Sequence, residues 1–225
     1  MENNKYILPL AILVAGVMVA GAIYFGTSGT PTPGEVPETQ QSTGITIPPV
    51  TESDHITGNR DAEIIIVEYS DTECSWCKVF HETMHQIVIK YGGKVAWVYR
   101  HMPFHNQSIK EAQATECAYE IGGNDAFWKY LDRIFKITPS NDEFDLGQLP
   151  IIASDIELNT SSFNECISSQ RYVENITKNL DLARPGNIEG TPYSIIISKN
   201  EQSAYINGAE PFEMVKAKID SLIQN

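Results

Sequence analysis

Apolar and polar positions change rhythm several times along the chain, and each change marks a predicted element. From Tyr6 to Phe25 runs an uncharged, mostly apolar segment, YILPLAILVAGVMVAGAIYF. At about 1.5 Å per helical residue such a run spans roughly 30 Å, the thickness of bilayer hydrocarbon. It predicts a single-pass anchor over residues 1–25, with a short cytoplasmic stub. The small-residue triplet Ala20-Gly21-Ala22 lies inside the run rather than after it, which favours a retained anchor over a cleaved signal peptide. Lys5 is the lone positive charge ahead of the span, and acid follows it, so the rest of the chain is expected on the outer face of a cell membrane. Residues 26–54 are rich in Pro, Gly, Ser and Thr and read as a flexible linker.

The pattern then turns globular. The β-branched run Glu63 to Tyr69 predicts a strand buried on both faces. A helical stretch reaches about Tyr91, Gly92-Gly93 breaks it, and Lys94 to Arg100 reads as a second strand, together a β-α-β unit. Helical periodicity follows in pieces around Ile109 to Ile121, Asp125 to Phe135, Leu146 to Ala153, Ser161 to Gln170 and Tyr172 to Leu182. Strand signals return at Tyr193 to Ser198 and Ser203 to Ile206, and a last helix begins near Pro211. The expectation is an α/β domain over residues 55–225, with a helical insertion at about 106–184. Phe127, Trp128 and Phe135 recur at helical spacing and are assigned to the core.

Composition sharpens this picture. With 42% hydrophobic and 20% charged residues the domain can bury a sizeable core. Glu2 and Lys5, ahead of the apolar segment, cancel, so the net charge of −13 lies beyond it and argues against nucleic acid as a partner. Four cysteines form an even set, which suggests an oxidising compartment. Cys117 and Cys166 fall on two predicted helices, and a structural bridge between them would close a loop of about fifty residues, worth roughly 4 kcal/mol in the chain-entropy model.

The other two cysteines carry the candidate chemistry. In Cys74-Ser75-Trp76-Cys77 the first thiol lies where a strand ends and a helix begins, so unpaired N–H groups and the helix dipole favour its thiolate. Cys74 is the expected nucleophile, and Cys77, one turn further in and more buried, closes or resolves the disulfide. His81 and His85 follow on the same helix and raise the possibility of zinc. Structural Cys2His2 sites place a loop between the cysteine and histidine pairs, whereas here all four side chains lie along one short helix. No metal is expected, and the two histidines read as ordinary helix-surface residues.

Asp54-His55 with Gly58, then IVEYSD, then the C-x-x-C resembles the DsbA-like thiol-disulfide oxidoreductases of the thioredoxin superfamily, in particular membrane-anchored bacterial ones. The likeness continues through Tyr99-Arg100-His101-Met102-Pro103, the helix with Glu111, Ala112 and Ala114, Phe127-Trp128, and Gly190-Thr191-Pro192. It covers about Asp54 to the C-terminus. It implies a thioredoxin fold, a central mixed β-sheet flanked by helices, with an inserted helical domain. It also implies activity on protein thiols and disulfides without a cofactor. Glu68 matches the buried acid behind the active-site pair, which could exchange a proton with Cys77. Thr191-Pro192 matches a cis-proline loop that, with Ser75 and Trp76, would hold an extended substrate.

The implied partners are unfolded or partly folded secreted protein thiols and a quinone-linked membrane oxidase of the DsbB or VKOR type, with the chain itself a monomer. Ser75-Trp76 stands where the strong oxidants carry Pro-His, so one stabiliser of the thiolate is missing and the pair should be less oxidising. That leaves the direction of the reaction open, with a dithiol oxidase the first expectation and a membrane-tethered reductase or isomerase behind it. A metal-binding or metallochaperone domain using the thiolates with His81 or His85, and a non-catalytic peptide-binding module, complete the alternatives.

Overall fold

The computed structural model describes residues 47–183 and 188–223. The expected anchor at Tyr6 to Phe25 and most of the expected linker lie outside the described residues. Among the described residues no helix is long and apolar enough to cross a membrane.

Five strands form one mixed sheet in the order β1-β3-β2-β4-β5. Strand β2 (Ile64–Ser70) lies parallel to β3 (Val95–His101) and antiparallel to β4 (Tyr193–Ser198). Its continuous apolar run makes it the central strand, because side chains on both faces need covering. Helix α1 (Ser75–Tyr91) supplies the parallel crossover from β2 to β3 and ends at Gly92, which takes the left-handed conformation (φ 52°) that glycine adopts without a Cβ clash. Strand β5 (Ser203–Asn207) pairs with β4, and helix α6 (Phe212–Ile223) closes the chain. These elements match the expected thioredoxin architecture.

One strand was not foreseen. β1 (His55–Thr57) pairs antiparallel with the edge of β3, and three residues are too few to show a period. The Asn124 side chain accepts from the Ile56 N–H at 3.3 Å and donates to its carbonyl at 2.8 Å, so the free side of this short strand is covered rather than left as an open edge. Gly58 follows at φ 95°, and a Cβ there would meet the Val95 carbonyl oxygen at 2.8 Å, so only glycine lets the chain leave β1 this close to β3.

Between β3 and β4 lie four helices: α2 (Ser108–Ile137), α3 (Gln148–Asp155), α4 (Thr160–Ser169) and α5 (Val173–Ala183). Gly123, at φ 71° and ψ −164°, breaks the path of α2 into two helical pieces. The second piece brings Phe127, Trp128, Leu131 and Phe135 onto the same sheet face as α1 and α6, where Ile64, Ile66, Trp97 and Ile196 are also buried. The opposite face, with Val67, Tyr69, Val98 and Ile195, is covered by Ile188 and by residues ahead of β1.

Those leading residues extend the packed domain earlier than the boundary expected at residue 55. Ile47 and Val50 pack on the sheet. Arg100, nearly buried, donates to the carbonyls of Pro48 (2.9 Å) and Pro49 (3.1 Å) and forms a two-point ion pair with Asp54 at 2.8 and 3.1 Å. A planar guanidinium can serve three acceptors at once, which explains why a segment with few apolar residues is held.

The helices have a core of their own, formed by Ala114, Tyr130, Ile134, Phe144, Leu149, Ile152 and Phe163 around Cys117 and Cys166. These two cysteines are fully buried and joined by a disulfide. Their separation of 49 residues gives a chain-entropy contribution of roughly 4 kcal/mol. A Cys117→Ala/Cys166→Ala variant is expected to lose about that much stability in guanidinium unfolding. A loss below about 1 kcal/mol would show that the helices hold together without the crosslink.

Candidate active site

The end of β2, the start of α1 and the turn before β4 meet at one rim of the sheet. The chain leaves β2 through Asp71, Thr72 and Glu73, and Cys74 is the N-cap residue of α1, with extended dihedrals (φ −80°, ψ 119°). An N-cap side chain ordinarily supplies an oxygen to the free N–H groups of the next two or three residues. Here that position holds sulfur, and the first turn contains no acidic side chain. Cys74 is 9% exposed and Cys77 fully buried, so one thiol is reachable and the other is not.

The two thiols differ as sharply in acidity. The Cys74 thiol is lowered from 9.0 to about 6. The largest cause is the hydrogen bond from the Cys77 thiol, aided by the N–H groups of Cys77 and Trp76 and by the Thr191 hydroxyl, against the opposing effect of burial. Burial and the neighbouring Cys74 sulfur push the Cys77 thiol well above its ordinary value. The backbone N–H of Asp71 points at the Cys77 sulfur at 3.5 Å.

Thr191 and Pro192 stand against this pair. The Thr191–Pro192 peptide bond is cis. As a neutral thiol, Cys74 donates to the Thr191 carbonyl at 3.3 Å. The Pro192 carbonyl is taken by the Gly208 N–H at 3.0 Å, which fixes the loop to the end of β5. Trp76, 64% exposed, borders an open hollow with Thr191, Asn207, Gly208 and Pro211, and Ser75 is exposed beside it. The structure thus brings Cys74, Cys77, Ser75, Trp76, Thr191 and Pro192 together. Cys117 and Cys166 belong to the separate helical core.

Glu68 lies behind the dithiol. It follows Ile64 and Ile66 on the α1 face of β2, opposite Tyr99 and Ser194, and is fully buried. Burial raises its carboxyl from 4.5 to about 7, while the Ser70 hydroxyl and the Trp97 indole pull the other way and the Cys74 sulfur adds to the rise. A group poised there can hold or release a proton near neutral pH.

Three acids were not assigned to the site from sequence, although Glu111 and Asp71 stand in segments that carry the family likeness. Asp71, 1% exposed, accepts from the Glu73 N–H at 2.8 Å, the Phe104 N–H at 2.6 Å, and the His105 N–H and Nδ1 both at 2.9 Å. It therefore ties the turn ahead of Cys74 to the loop after β3. Glu73, the residue before Cys74, is fully buried, accepts from the Thr138 hydroxyl and the Glu143 N–H (both 3.1 Å), and lies beside Glu111. Burial and that neighbour push Glu111 up to about 9. Asp71 is part of the quoted IVEYSD motif, but nothing in a lone carboxylate's sequence position shows that it is buried.

The reading of His81 as a surface residue needs correction, whereas His85 is half-exposed. His81 is 2% exposed because Trp97 and Phe135 close on its ring, at centroid distances of 5.1 and 4.5 Å. Both imidazoles converge on Asp132 rather than on the cysteines.

A reactive thiol capped by a helix start, with a buried partner one turn away, is built to exchange disulfides with another molecule. Fold and site together define a member of the thioredoxin superfamily with a DsbA-like fold. A family model described as Thioredoxin (Thioredoxin_4) matches residues 50–220, and the chain belongs to that family. Among solved structures it is similar to DsbA2 of Pseudomonas aeruginosa, at 26% identity and a TM-score of 0.65, covering 77% of this chain and 97% of that one. It is also similar in fold to alpha-DsbA1 of Wolbachia pipientis, at 24% identity and a TM-score of 0.69, covering 77% and 92%. A curated relative, the Na(+)/H(+) antiporter NhaA 3 of Salinispora tropica, is 27% identical over 164 residues, which is 72% of this chain and 24% of that protein. The chain spans about a quarter of the length of the curated relatives it matches.

Glu68 generates a prediction with a definite sign. Between pH 4.5 and 7 the folded chain keeps a proton that the unfolded chain has released, so stability falls as pH rises through that window. The shift from 4.5 to about 7 corresponds to about 3 kcal/mol. Glu68→Gln is expected to be more stable than the parent by up to about that amount at pH 8, with the difference vanishing near pH 4. Chemical unfolding of both reduced proteins across this range measures it, and a difference independent of pH would show that Glu68 titrates normally.

Proposed function

We propose that the chain is a dithiol oxidase that forms disulfides in secreted or cell-surface proteins. The observation that carries this reading is the difference between the two thiols. A Cys74 thiol lowered from 9.0 to about 6 is largely ionised at pH 7, which stabilises the reduced form. At pH 7 only the one unit between about 6 and the ambient pH counts, so the effect is at most about 1.4 kcal/mol, tenfold in the exchange equilibrium or about 30 mV, before solvent screening lowers it. A pair whose reduced form is favoured passes its disulfide on.

The exchange runs in two displacements. A client thiolate attacks the sulfur of Cys74, the reachable member of the disulfide, and the bond to Cys77 breaks. Cys77, buried and weakly acidic, leaves as a thiol, taking its proton from the Glu68 carboxyl behind it. A second client thiolate then attacks the client sulfur of the mixed disulfide, and Cys74 departs as a thiolate. Two client thiols have become a disulfide, and both electrons rest on Cys74 and Cys77. The hollow between Trp76 and the Thr191-Pro192 loop would hold an extended client segment across Cys74.

Reoxidation then requires an electron acceptor, for which a quinone-linked membrane oxidase of the DsbB or VKOR type is the proposed partner. The apolar segment at residues 1–25 would anchor the chain in a single pass, with the domain on the outer face of the cell membrane. Such an anchor keeps the dithiol within reach of that partner. A reductase, fed by a transmembrane electron carrier, is the reading that would replace this one if the pair is not oxidising.

Two measurements test the proposal. Equilibration of Cys74-Cys77 with glutathione buffers is expected to give a potential more positive than the thioredoxin value of about −270 mV. A value at or below that figure would assign the chain to reduction instead. A Cys77→Ser variant whose Cys74 has first been joined to glutathione in a mixed disulfide is expected to pass that bond to reduced client protein, releasing glutathione and accumulating client adducts through Cys74, and an absence of such adducts would point to a non-catalytic binding role.

A further inference from the structure

We propose that His81, His85 and Asp132 form a binding site for a divalent first-row cation of the zinc class, separate from the dithiol and independent of the redox reading. The two histidines stand one turn apart on α1, and Asp132 comes from the second piece of α2. His81 Nε2 and His85 Nε2 lie 2.8 and 2.9 Å from the same Asp132 oxygen and 3.1 Å from each other.

Three donor atoms thus form a nearly equilateral triangle. Right-angle donors around an ion with bonds of about 2.0–2.1 Å are about 2.9 Å apart, which this triangle matches as it stands, and tetrahedral donors are about 3.3 Å apart, so zinc is reached by an opening of roughly 0.4 Å, within the play of the half-exposed His85 and Asp132 side chains. Two imidazole nitrogens and one carboxylate oxygen suit zinc and its neighbours, whereas calcium and magnesium take oxygen ligands throughout.

The surroundings hold the triangle in place. Trp97 stands edge-on to His81 and to His85, at 5.1 and 5.4 Å, and Phe135 closes the far side of His81. His81 Nδ1 is buried without a hydrogen-bond partner among the described residues, and Nε2 is the ring atom aimed into the triangle. The side chains of His85 and Asp132 are 36% and 45% exposed, which leaves a path for an ion and an open position for water or an added ligand. The carboxylate of Glu82 acts on both imidazoles, adding negative field. Without an ion, two imidazole nitrogens 3.1 Å apart must share a proton or face each other with like charges or like lone pairs.

An ion held here would pin α1, one turn beyond Cys77, to the inserted helices. The test uses the untagged full chain with Cys74-Cys77 oxidised, so that no thiolate competes, titrated with cobalt(II) and followed by visible absorption. One equivalent is expected, with d–d bands of nitrogen and oxygen ligation and no thiolate charge-transfer band. Zinc should displace it. His85→Ala and Asp132→Asn, both half-exposed positions, should each weaken binding by at least about tenfold. A Cys74→Ser/Cys77→Ser variant should still bind one equivalent. The proposal is overturned if the oxidised chain binds no stoichiometric ion, if both ligand variants bind as the parent does, or if the signal disappears with the cysteines.

Discussion

An α-helix that begins without an oxygen cap leaves several N–H groups unpaired, and in this protein the sulfur of Cys74 occupies the cap position of such a helix. The thiolate is the favoured state of Cys74 chiefly because the Cys77 thiol, one turn along the same helix, donates to it, with the free N–H groups of Cys77 and Trp76 adding to that effect. Much of the fold serves to keep this helix start where it is. The central strand β2 ends at Ser70, Asp71 cross-links the turn to the loop after β3, and Glu73 is held by Thr138 and Glu143 of the inserted helices.

The same region gathers carboxyl groups in places where ions are costly. Glu68, Glu73 and Glu111 are all fully buried within or beside the dithiol. Burial without a counter-charge favours the protonated form, which is why Glu68 and Glu111 are displaced to about 7 and about 9. Apolar residues of the same size would be more stable there. Retaining acids behind a thiol pair makes physical sense when protons must be exchanged as the disulfide opens and closes, and the buried Cys77 has no solvent route for its own.

The elements with a clear period were legible in the sequence. The β-branched stretch that became β2, the crossover helix, and the five pieces of the insertion all show their spacing directly, and the C-x-x-C stands at the strand-to-helix junction its chemistry requires. What escaped depended on tertiary contacts. β1 is three residues long and opens with His55, whose burial comes from stacking on Phe127 at 3.7 Å, far along the chain. Residues 47–54 look like linker because Ile47 and Val50 are their few apolar contacts and the rest of their hold on the domain comes from carbonyl groups and Asp54, through Arg100. His81 looks like a surface residue on a helical wheel, but Trp97 from β3 and Phe135 from α2 enclose it. Asp132 is an ordinary surface acid until the two helices meet.

The account rests on two thiols in one short motif having opposite character, and a thiolate titration tests that most directly. Absorbance of the reduced protein near 240 nm is expected to rise in a first step worth one thiolate with a midpoint at about pH 6, assigned to Cys74, with the second thiolate appearing only well above pH 9. Two thiolates appearing together near pH 9 would contradict it, since neither the helix start nor Cys77 would then be stabilising charge on Cys74.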